Sequence, residues 1–175
     1  GLTIYDVDEI PTHGGSLRIY ARHTSQSAIE ISPNVEKLLQ KETTRGLQSL
    51  ETYKSFQSRV KMLKFDFLNF LLKQKSAGKK VIAYGAAAKG NTLLNYCGIK
   101  NDLIDFVVDA APSKQNHFLP GSHIPVLSEE RIKEERPDYI IVFPWNIKDE
   151  IVSQLHYVRE WDCHFVVAIP RLEIF

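Results

Sequence analysis

The stretch KKVIAYGAAAKGN, residues 79–91, decides the fold of this chain. Val81 to Tyr84 has the length and the β-branched content of a buried strand. Small residues follow from Gly85 to Ala88, and apolar residues at helical spacing begin again after Thr92. A strand that enters a helix through so tight a turn leaves the first N–H groups of the helix open to an anion. The pattern predicts a phosphate site; close packing of the strand on the helix is the alternative reason for the small residues.

The turn departs from two familiar nucleotide-binding sequences. Against G-x-G-x-x-G it offers Gly85, Ala87 and Gly90, so a methyl group replaces the glycine that normally lets backbone contact a pyrophosphate. Against G-x-x-x-x-G-K-[ST], Lys89 precedes the second glycine and Asn91 takes the place of the lysine. We therefore expect a shorter or more loosely bound phosphate, and no nucleotide hydrolysis of the Walker type.

Composition excludes several classes of protein. The 175 residues are 43% hydrophobic and 25% charged, with a net charge of +1, as in ordinary globular proteins. This charge gives no field to attract nucleic acid or an anionic membrane, and no apolar run approaches the length of a membrane span. Cys97 and Cys163 both stand among apolar residues, and the histidines lack metal-ligand spacing. We expect a cytoplasmic protein with reduced thiols, no metal, no nucleic-acid partner and no membrane partner.

The N-terminal part predicts a hairpin and then helices. Residues 2–10 and 17–21 alternate apolar and polar side chains around a connection rich in turn formers. Two strands alone are marginal in water, so we expect residues 1–23 to close the sheet of an upstream domain; packing on the later domain is the alternative. Ser32 and Pro33 mark a helix start, and an amphipathic helix is predicted from about 47 to 77. Residues 24–78 are thus expected to form a helical bridge.

From residue 79 onward, apolar segments alternate with helical ones. Five strands are predicted, at 81–84, 103–108, 124–127, 139–143 and 165–169. The expected fold class is α/β: a small Rossmann-like parallel sheet with helices on both faces over residues 79–175, preceded by the hairpin and the long helical bridge. Ligands of such sheets lie beyond the carboxyl ends of the strands, which here are 85–91, 109–118 and 144–146.

Polar and aromatic residues at these strand ends are candidate ligand contacts. Asp109 is suited to accept hydrogen bonds from a ribose, or to bond its own backbone as a turn residue. Lys89 and Lys114 are suited to neutralise a phosphate; for Lys89, a solvated lysine is the alternative. Trp145 is a stacking surface for a base or a core residue, and Asn146 is predicted to cap a helix. No nucleophile–base pair stands out, so the domain is predicted to bind without a catalytic group of its own.

Four segments together resemble one protein family: PTHGGSLRIY at 11–20, VIAYGAAAKGNTLLNYCGI at 81–99, VVDAAPSKQNHFLPGSHIPV at 107–126 and YIIVFPWN at 139–146. The family is the C-terminal part of S-adenosylmethionine-dependent C-methyltransferases that act on nucleotide-linked deoxysugars. The resemblance implies an upstream zinc-binding segment and an upstream methyltransferase domain that binds S-adenosylmethionine. It also implies methylation, through an enolate, of a ring carbon next to a ketone in an NDP-deoxysugar.

The resemblance also implies particular site residues. His13, at the domain boundary, would be a catalytic residue, with the principal ones upstream. The sugar-nucleotide cleft would be lined by Gly85, Ala86, Ala87, Lys89, Gly90, Asn91, Asp109, Lys114, Trp145 and Asn146. Alone, the part described here would neither bind S-adenosylmethionine nor transfer methyl groups. Two alternatives stay open: an NAD-binding oxidoreductase domain, and a non-enzymatic regulatory module that binds nucleotides.

Overall fold

A computed structural model describes residues 1–26 and 28–175 of the chain. Contacts divide the chain into two compact units, Gly1–Arg59 and Val60–Phe175. In the first unit, β1 (Leu2–Ile10) and β2 (Ser16–His23) pair antiparallel and form the predicted hairpin. A short 3₁₀ turn, Thr12–Gly14, connects them.

Helix α1 (Pro33–Thr44) begins as the sequence predicts. Ser32 is the N-cap, its hydroxyl accepts a hydrogen bond from the backbone N–H of Asn34, and proline occupies the first helical position. Two further contacts hold the start of the helix to β1. The Ser32 N–H donates to the carbonyl of Tyr5, and the Asn34 side chain donates to the carboxylate of Asp6 at 3.1 Å.

Helix α2 (Leu50–Ser76) is the predicted long amphipathic helix. It ends before Gly78, whose φ of 72° lies in the left-handed region that glycine adopts without strain. The apolar stripe is buried only toward the C-terminal end of the helix, at Phe67, Phe70 and Leu71. Tyr53, nearer the N-terminal end, is exposed.

The second unit contains a seven-stranded sheet in the order β5-β6-β4-β3-β7-β8-β9. The strands are β3 (Val81–Tyr84), β4 (Val107–Val108), β5 (His117–Phe118), β6 (Pro125–Leu127), β7 (Tyr139–Val142), β8 (His164–Val167) and β9 (Glu173–Ile174). The five predicted strands all occur and pair in parallel. Two short edge strands, β5 and β9, were not predicted and pair antiparallel. The strand predicted at 103–108 is only two residues long, because Leu103 and Ile104 donate their N–H groups to Lys100 in a turn.

Helices lie on both faces of the sheet, which confirms the predicted fold class. Besides α2, they are α3 (Ala88–Cys97), α4 (Glu130–Glu135) and α5 (Lys148–Gln154). Residues of α2 and α3 join the hydrophobic core on one face, and residues of α4 and α5 join the core on the other. The connection after β3 therefore leaves toward one face and the connection after β7 toward the other. Such a switch point opens a crevice between the two strand ends. None of the helices in the described part of the chain is both long and apolar enough to cross a membrane.

Close packing at the start of α3 depends on Gly90. A Cβ at this buried glycine would lie 2.5 to 2.7 Å from atoms of the Phe143 side chain, at the end of β7. We predict that Gly90→Ala lowers the free energy of unfolding by about 1–3 kcal/mol, because overpacking outweighs the roughly 1 kcal/mol that alanine gains in a helix. Urea denaturation measures this loss.

A second variant tests whether the loss comes from this contact. Phe143→Leu makes room for the added methyl group, so the double variant should lose less stability than the sum of the two single losses. Strictly additive losses would show that the Gly90–Phe143 contact does not limit the packing.

Candidate functional site

Residues 85–91, which are the connection after β3 together with the first turn of α3, lie at the switch point and are called the β3–α3 turn below. Gly85 has a φ of 91°, and a Cβ there would lie 2.6 Å from ring carbons of Pro144. The turn therefore needs glycine for its conformation and for its closeness to the loop after β7. Ala87 is the N-cap of α3 and offers no side-chain acceptor to the first turn of the helix. An alanine N-cap leaves that task to another acceptor, such as an anion at the positive end of the helix dipole.

The side chain of Asp109, directly after β4, is hydrogen-bonded to the β3–α3 turn. One carboxylate oxygen accepts the Ala86 N–H at 2.8 Å and the Lys114 ammonium at 3.0 Å, and the other accepts the Ala111 N–H at 2.9 Å. The residue is 7% exposed. Burial opposes ionisation, but the hydrogen bonds from Ala111, Lys114 and Ala86 outweigh it, so the pKa of Asp109 lies below its ordinary value. Asp109 is therefore a charged group that joins two loops at the carboxyl edge.

These contacts bear on two sequence predictions. The bond from Ala111 is the turn-residue contact that was one of the alternatives for Asp109. The Asp109 backbone carbonyl also accepts a bond, from the side chain of Gln115. The Lys114 ammonium pairs with Asp109, so much of its charge is balanced within the site. Contact of Asp109 with a ribose and of Lys114 with a phosphate remain predictions.

Lys89 connects the β3–α3 turn to the loop after β7. Its ammonium lies 3.2 Å from the side-chain oxygen of Asn146 and 5.0 Å from the centre of the Trp145 ring. Trp145 lies partly buried against the hydrophobic core on the face of α4 and α5. The ammonium therefore already covers one region of the indole on which a base was predicted to stack.

Asn146 does not have the structural role that the sequence predicted for it. The residue before α5 is Ile147, which makes no side-chain cap, and Asn146 lies within a 3₁₀ turn, Trp145–Ile147. The prediction that Asn146 caps a helix is wrong, because the 3₁₀ turn delays the start of the helix by one residue, to Lys148. Its side chain accepts from Lys89 instead.

Three predicted site residues remain in the β3–α3 turn. Ala86 contributes its N–H to Asp109, and Gly90 lets α3 approach Phe143. Asn91 donates its N–H to Ala87, and its side-chain oxygen is buried with no hydrogen-bond partner among the described residues.

His13 belongs to the first unit, whereas the residues above belong to the second. It is exposed and lies in the turn between β1 and β2 with a φ of 58°, a conformation that few residues other than glycine adopt. Sequence reasoning anticipated its position in a turn, but not this backbone strain. Across the described residues, no group of three or more histidines, cysteines or carboxylates is arranged to hold a metal ion.

Sequence reasoning missed one polar cluster, which lies at the carboxyl ends of β3 and β6. The Tyr84 hydroxyl, at the end of β3, donates to one oxygen of Glu129 at 2.5 Å, and the Gln154 amide donates to the same oxygen at 3.1 Å. The sequence predicts Tyr84 as part of a buried strand and predicts no role for Glu129. The available signal was the position of Glu129, two residues after the carboxyl end of β6.

A doubly wound sheet with a small-residue turn at its switch point defines a Rossmann-like α/β domain. The chain belongs to the C-methyltransferase C-terminal domain family, whose model matches residues 11–170. The family predicted from the four sequence segments is thereby confirmed at this level.

One curated relative and one solved structure are similar to the chain. The relative is the C-methyltransferase NovU from Streptomyces niveus, 33% identical over 171 residues, which cover 98% of this chain and 40% of NovU. The chain thus spans less than half the length of that relative. The solved structure is UDP-D-quinovosamine 4-dehydrogenase from Vibrio fischeri, with 17% identity and a TM-score of 0.37 over 53% of this chain and 79% of that one.

The Asp109 network predicts a specific dependence of stability on pH. Because the pKa of Asp109 is depressed in the folded state, its stabilisation is present above the unfolded pKa of about 3.9 and is lost as the pH falls through the folded pKa. Asp109→Asn should lower the free energy of unfolding at pH 7 by about 2 kcal/mol, the scale of hydrogen bonds to a charged group. Urea denaturation from pH 7 to pH 3 should show this difference shrinking below about pH 4.

The matched control is Asp102→Asn, an exposed aspartate in the same unit. It should leave stability nearly unchanged at every pH. A loss for Asp109→Asn that is as large at pH 3 as at pH 7 would show that its charge is not what holds the turn.

Proposed function

We propose that this chain is the substrate-binding C-terminal part of an S-adenosylmethionine-dependent sugar C-methyltransferase. It holds an NDP-deoxysugar at the carboxyl edge of the sheet, with the phosphates at the β3–α3 turn. The observation that carries this proposal is the start of α3: a helix end without a side-chain cap, reached through a glycine turn, with the ammonium of Lys89 beside it. Membership of the C-methyltransferase C-terminal domain family supports the reaction class.

Each part of the edge has a role in this proposal. Gly85, Ala86, Ala87 and Gly90 contribute a backbone without bulky side chains, so that oxygens of a phosphate can approach the N–H groups of α3. Lys89 adds a positive charge, and Asn146 orients it. Asp109 and its partner Lys114 contribute indirectly, because their hydrogen bonds fix the shape of the turn.

The remaining candidates would recognise other parts of the ligand. The Asn91 side-chain oxygen, buried without a partner among the described residues, is an acceptor suited to a hydroxyl group of the ligand. Trp145 offers an aromatic surface at the end of β7 on which a base can stack. Lys89 lies over this ring, so the residue that would bind the phosphate is next to the residue that would bind the base.

The chemical step belongs to the partner domain in this proposal. A base removes the proton next to the sugar ketone, and the carbanion, delocalised as an enolate, takes up the methyl group. S-adenosylmethionine, bound by the upstream domain, would supply that methyl group: its sulfonium S–CH3 bond would break, and S-adenosylhomocysteine would leave as the neutral thioether. The residues described here bind and orient the sugar nucleotide, and alone they transfer no methyl group.

A second candidate function, NAD binding, is favoured by Gly85 and Gly90 but opposed by two contacts. Ala87 puts a methyl group where a dinucleotide pyrophosphate normally touches backbone. Asp109, in the position of the usual ribose acceptor, already accepts three hydrogen bonds from the protein. We therefore propose a sugar nucleotide rather than NAD.

Lys89→Ala tests this proposal. It should weaken binding of a thymidine-diphosphate sugar to the full-length protein by about 1–3 kcal/mol, the range for hydrogen bonds to charged groups. Fold stability should change little, since Lys89 is not part of the hydrophobic core. Isothermal titration with the sugar nucleotide and with NAD measures both affinities.

The control is Lys100→Ala, which removes an exposed lysine from the same unit and should leave the affinity unchanged. Tighter binding of NAD than of the sugar nucleotide would reject the proposal. So would an unchanged affinity in Lys89→Ala.

His13 is proposed to act in the reaction at the domain boundary. We expect His13→Ala in the full-length protein to lower turnover more than it lowers the melting temperature. The control His23→Ala removes an exposed histidine from the same hairpin and should preserve both quantities. If His13→Ala reduced the melting temperature while turnover per folded molecule stayed constant, the role of His13 would be structural.

A further inference from the structure

Glu129 is the centre of a polar cluster that the proposed phosphate site does not use. One of its carboxylate oxygens accepts the Tyr84 hydroxyl and the Gln154 amide. No hydrogen bond from the residues that the structure describes reaches its other oxygen. The side chain is half-buried, so the carboxylate is fixed in place yet accessible from one side.

The cluster lies at the carboxyl edge, beside the β3–α3 turn. Tyr84 is the last residue of β3 and immediately precedes Gly85. Glu129 follows β6, and β6 is held to the site because the Asp109 N–H donates to the carbonyl of Leu127 at the end of that strand. Glu129 is therefore within the length of one tyrosine side chain of the strand end that leads into the proposed phosphate site.

Asp109 and Glu129 differ in their free hydrogen-bonding capacity. Doubly wound nucleotide-binding sheets commonly use an acidic residue near the second strand end to accept ribose hydroxyls. Here that position is Asp109, whose two oxygens accept three donors from the protein. Glu129, one strand further along the edge, retains an oxygen without a donor. The carboxylate oxygen that is available to a hydroxyl group is therefore that of Glu129, after β6, and not that of Asp109, after β4.

We propose that Glu129 accepts a hydrogen bond from a pentose hydroxyl of the bound nucleotide, while Tyr84 and Gln154 hold its carboxylate in position. This inference rests on the proposed function, because it assumes that the phosphates occupy the β3–α3 turn. It adds the residue that recognises the sugar of the nucleoside itself.

The neighbours of Glu129 suit this role. Burial raises the pKa of the Tyr84 phenol, and the hydrogen bond to Glu129 adds to the effect, so Tyr84 stays protonated and remains a donor. With one oxygen held by two donors, the carboxylate loses little freedom when a hydroxyl binds to the other. The ammonium of Lys133, the lysine of α4, lies over the ring of Tyr157, 4.8 Å from its centre, rather than beside Glu129.

The test compares two probes on the full-length protein: thymidine 5′-diphosphate, and its 3′-deoxy analogue, which lacks the only free pentose hydroxyl. Glu129→Gln keeps the shape of the side chain and an acceptor for Tyr84 but removes the charge. The matched control is Glu130→Gln, the same change at the neighbouring exposed residue. Isothermal titration gives the affinity of each protein for each probe, and thermal melting checks that each variant is folded.

We expect Glu129→Gln to bind thymidine 5′-diphosphate about tenfold more weakly than the parent protein, and Glu130→Gln to bind it equally well. The 3′-deoxy probe should bind the parent and Glu129→Gln with similar affinities, because the hydroxyl is absent. Equal losses for both probes, or no loss in Glu129→Gln, would overturn the role of Glu129 while the phosphate site stands. Failure of the parent protein to bind either probe would overturn both this inference and the proposed function.

Discussion

The buried carboxylate of Asp109 is the interaction on which the geometry of the site depends. Asp109 is only 7% exposed to solvent, so its charge must be stabilised by the protein. Two backbone N–H groups and the ammonium of Lys114 donate hydrogen bonds to it. One N–H comes from Ala86 in the turn after β3, and the other from Ala111 in the connection after β4. The carboxylate therefore fixes two loops relative to each other, and α3 starts in a fixed direction from the sheet.

The small residues of the turn satisfy two requirements at once. Close packing, one of the two reasons considered for them, explains Gly85 against Pro144 and Gly90 against Phe143. The same packing brings the loop after β7 to the start of α3, where Lys89 meets Asn146 and forms the cationic side of the proposed site. A packing role and a phosphate-binding role are therefore compatible in this turn, since the first creates the geometry that the second requires.

Local signals allowed most of the fold to be predicted, and tertiary contacts explain the rest. The parallel strands, the hairpin and α2 carry strong hydrophobic periodicity, so their positions followed from the sequence. The edge strand Glu173–Ile174 is too short to show a period and forms only because β8 offers a free edge. The helix cap predicted at Asn146 failed because a 3₁₀ turn occupies residues 145–147, and the Asn146 side chain binds a distant cation, Lys89 at the start of α3. Glu129 was missed for the same reason: its partners, Tyr84 and Gln154, are 45 and 25 residues away in sequence.

Backbone hydrogen–deuterium exchange of the full-length protein, with and without a thymidine-diphosphate sugar, tests the central claim most directly. A ligand whose phosphates bind at the carboxyl edge should slow exchange at residues 85–91 and around 144–146. The opposite edge, where Lys79 pairs with Asp138, should be unaffected. Protection confined to that opposite edge, or no change at the β3–α3 turn under saturating ligand, would contradict the account.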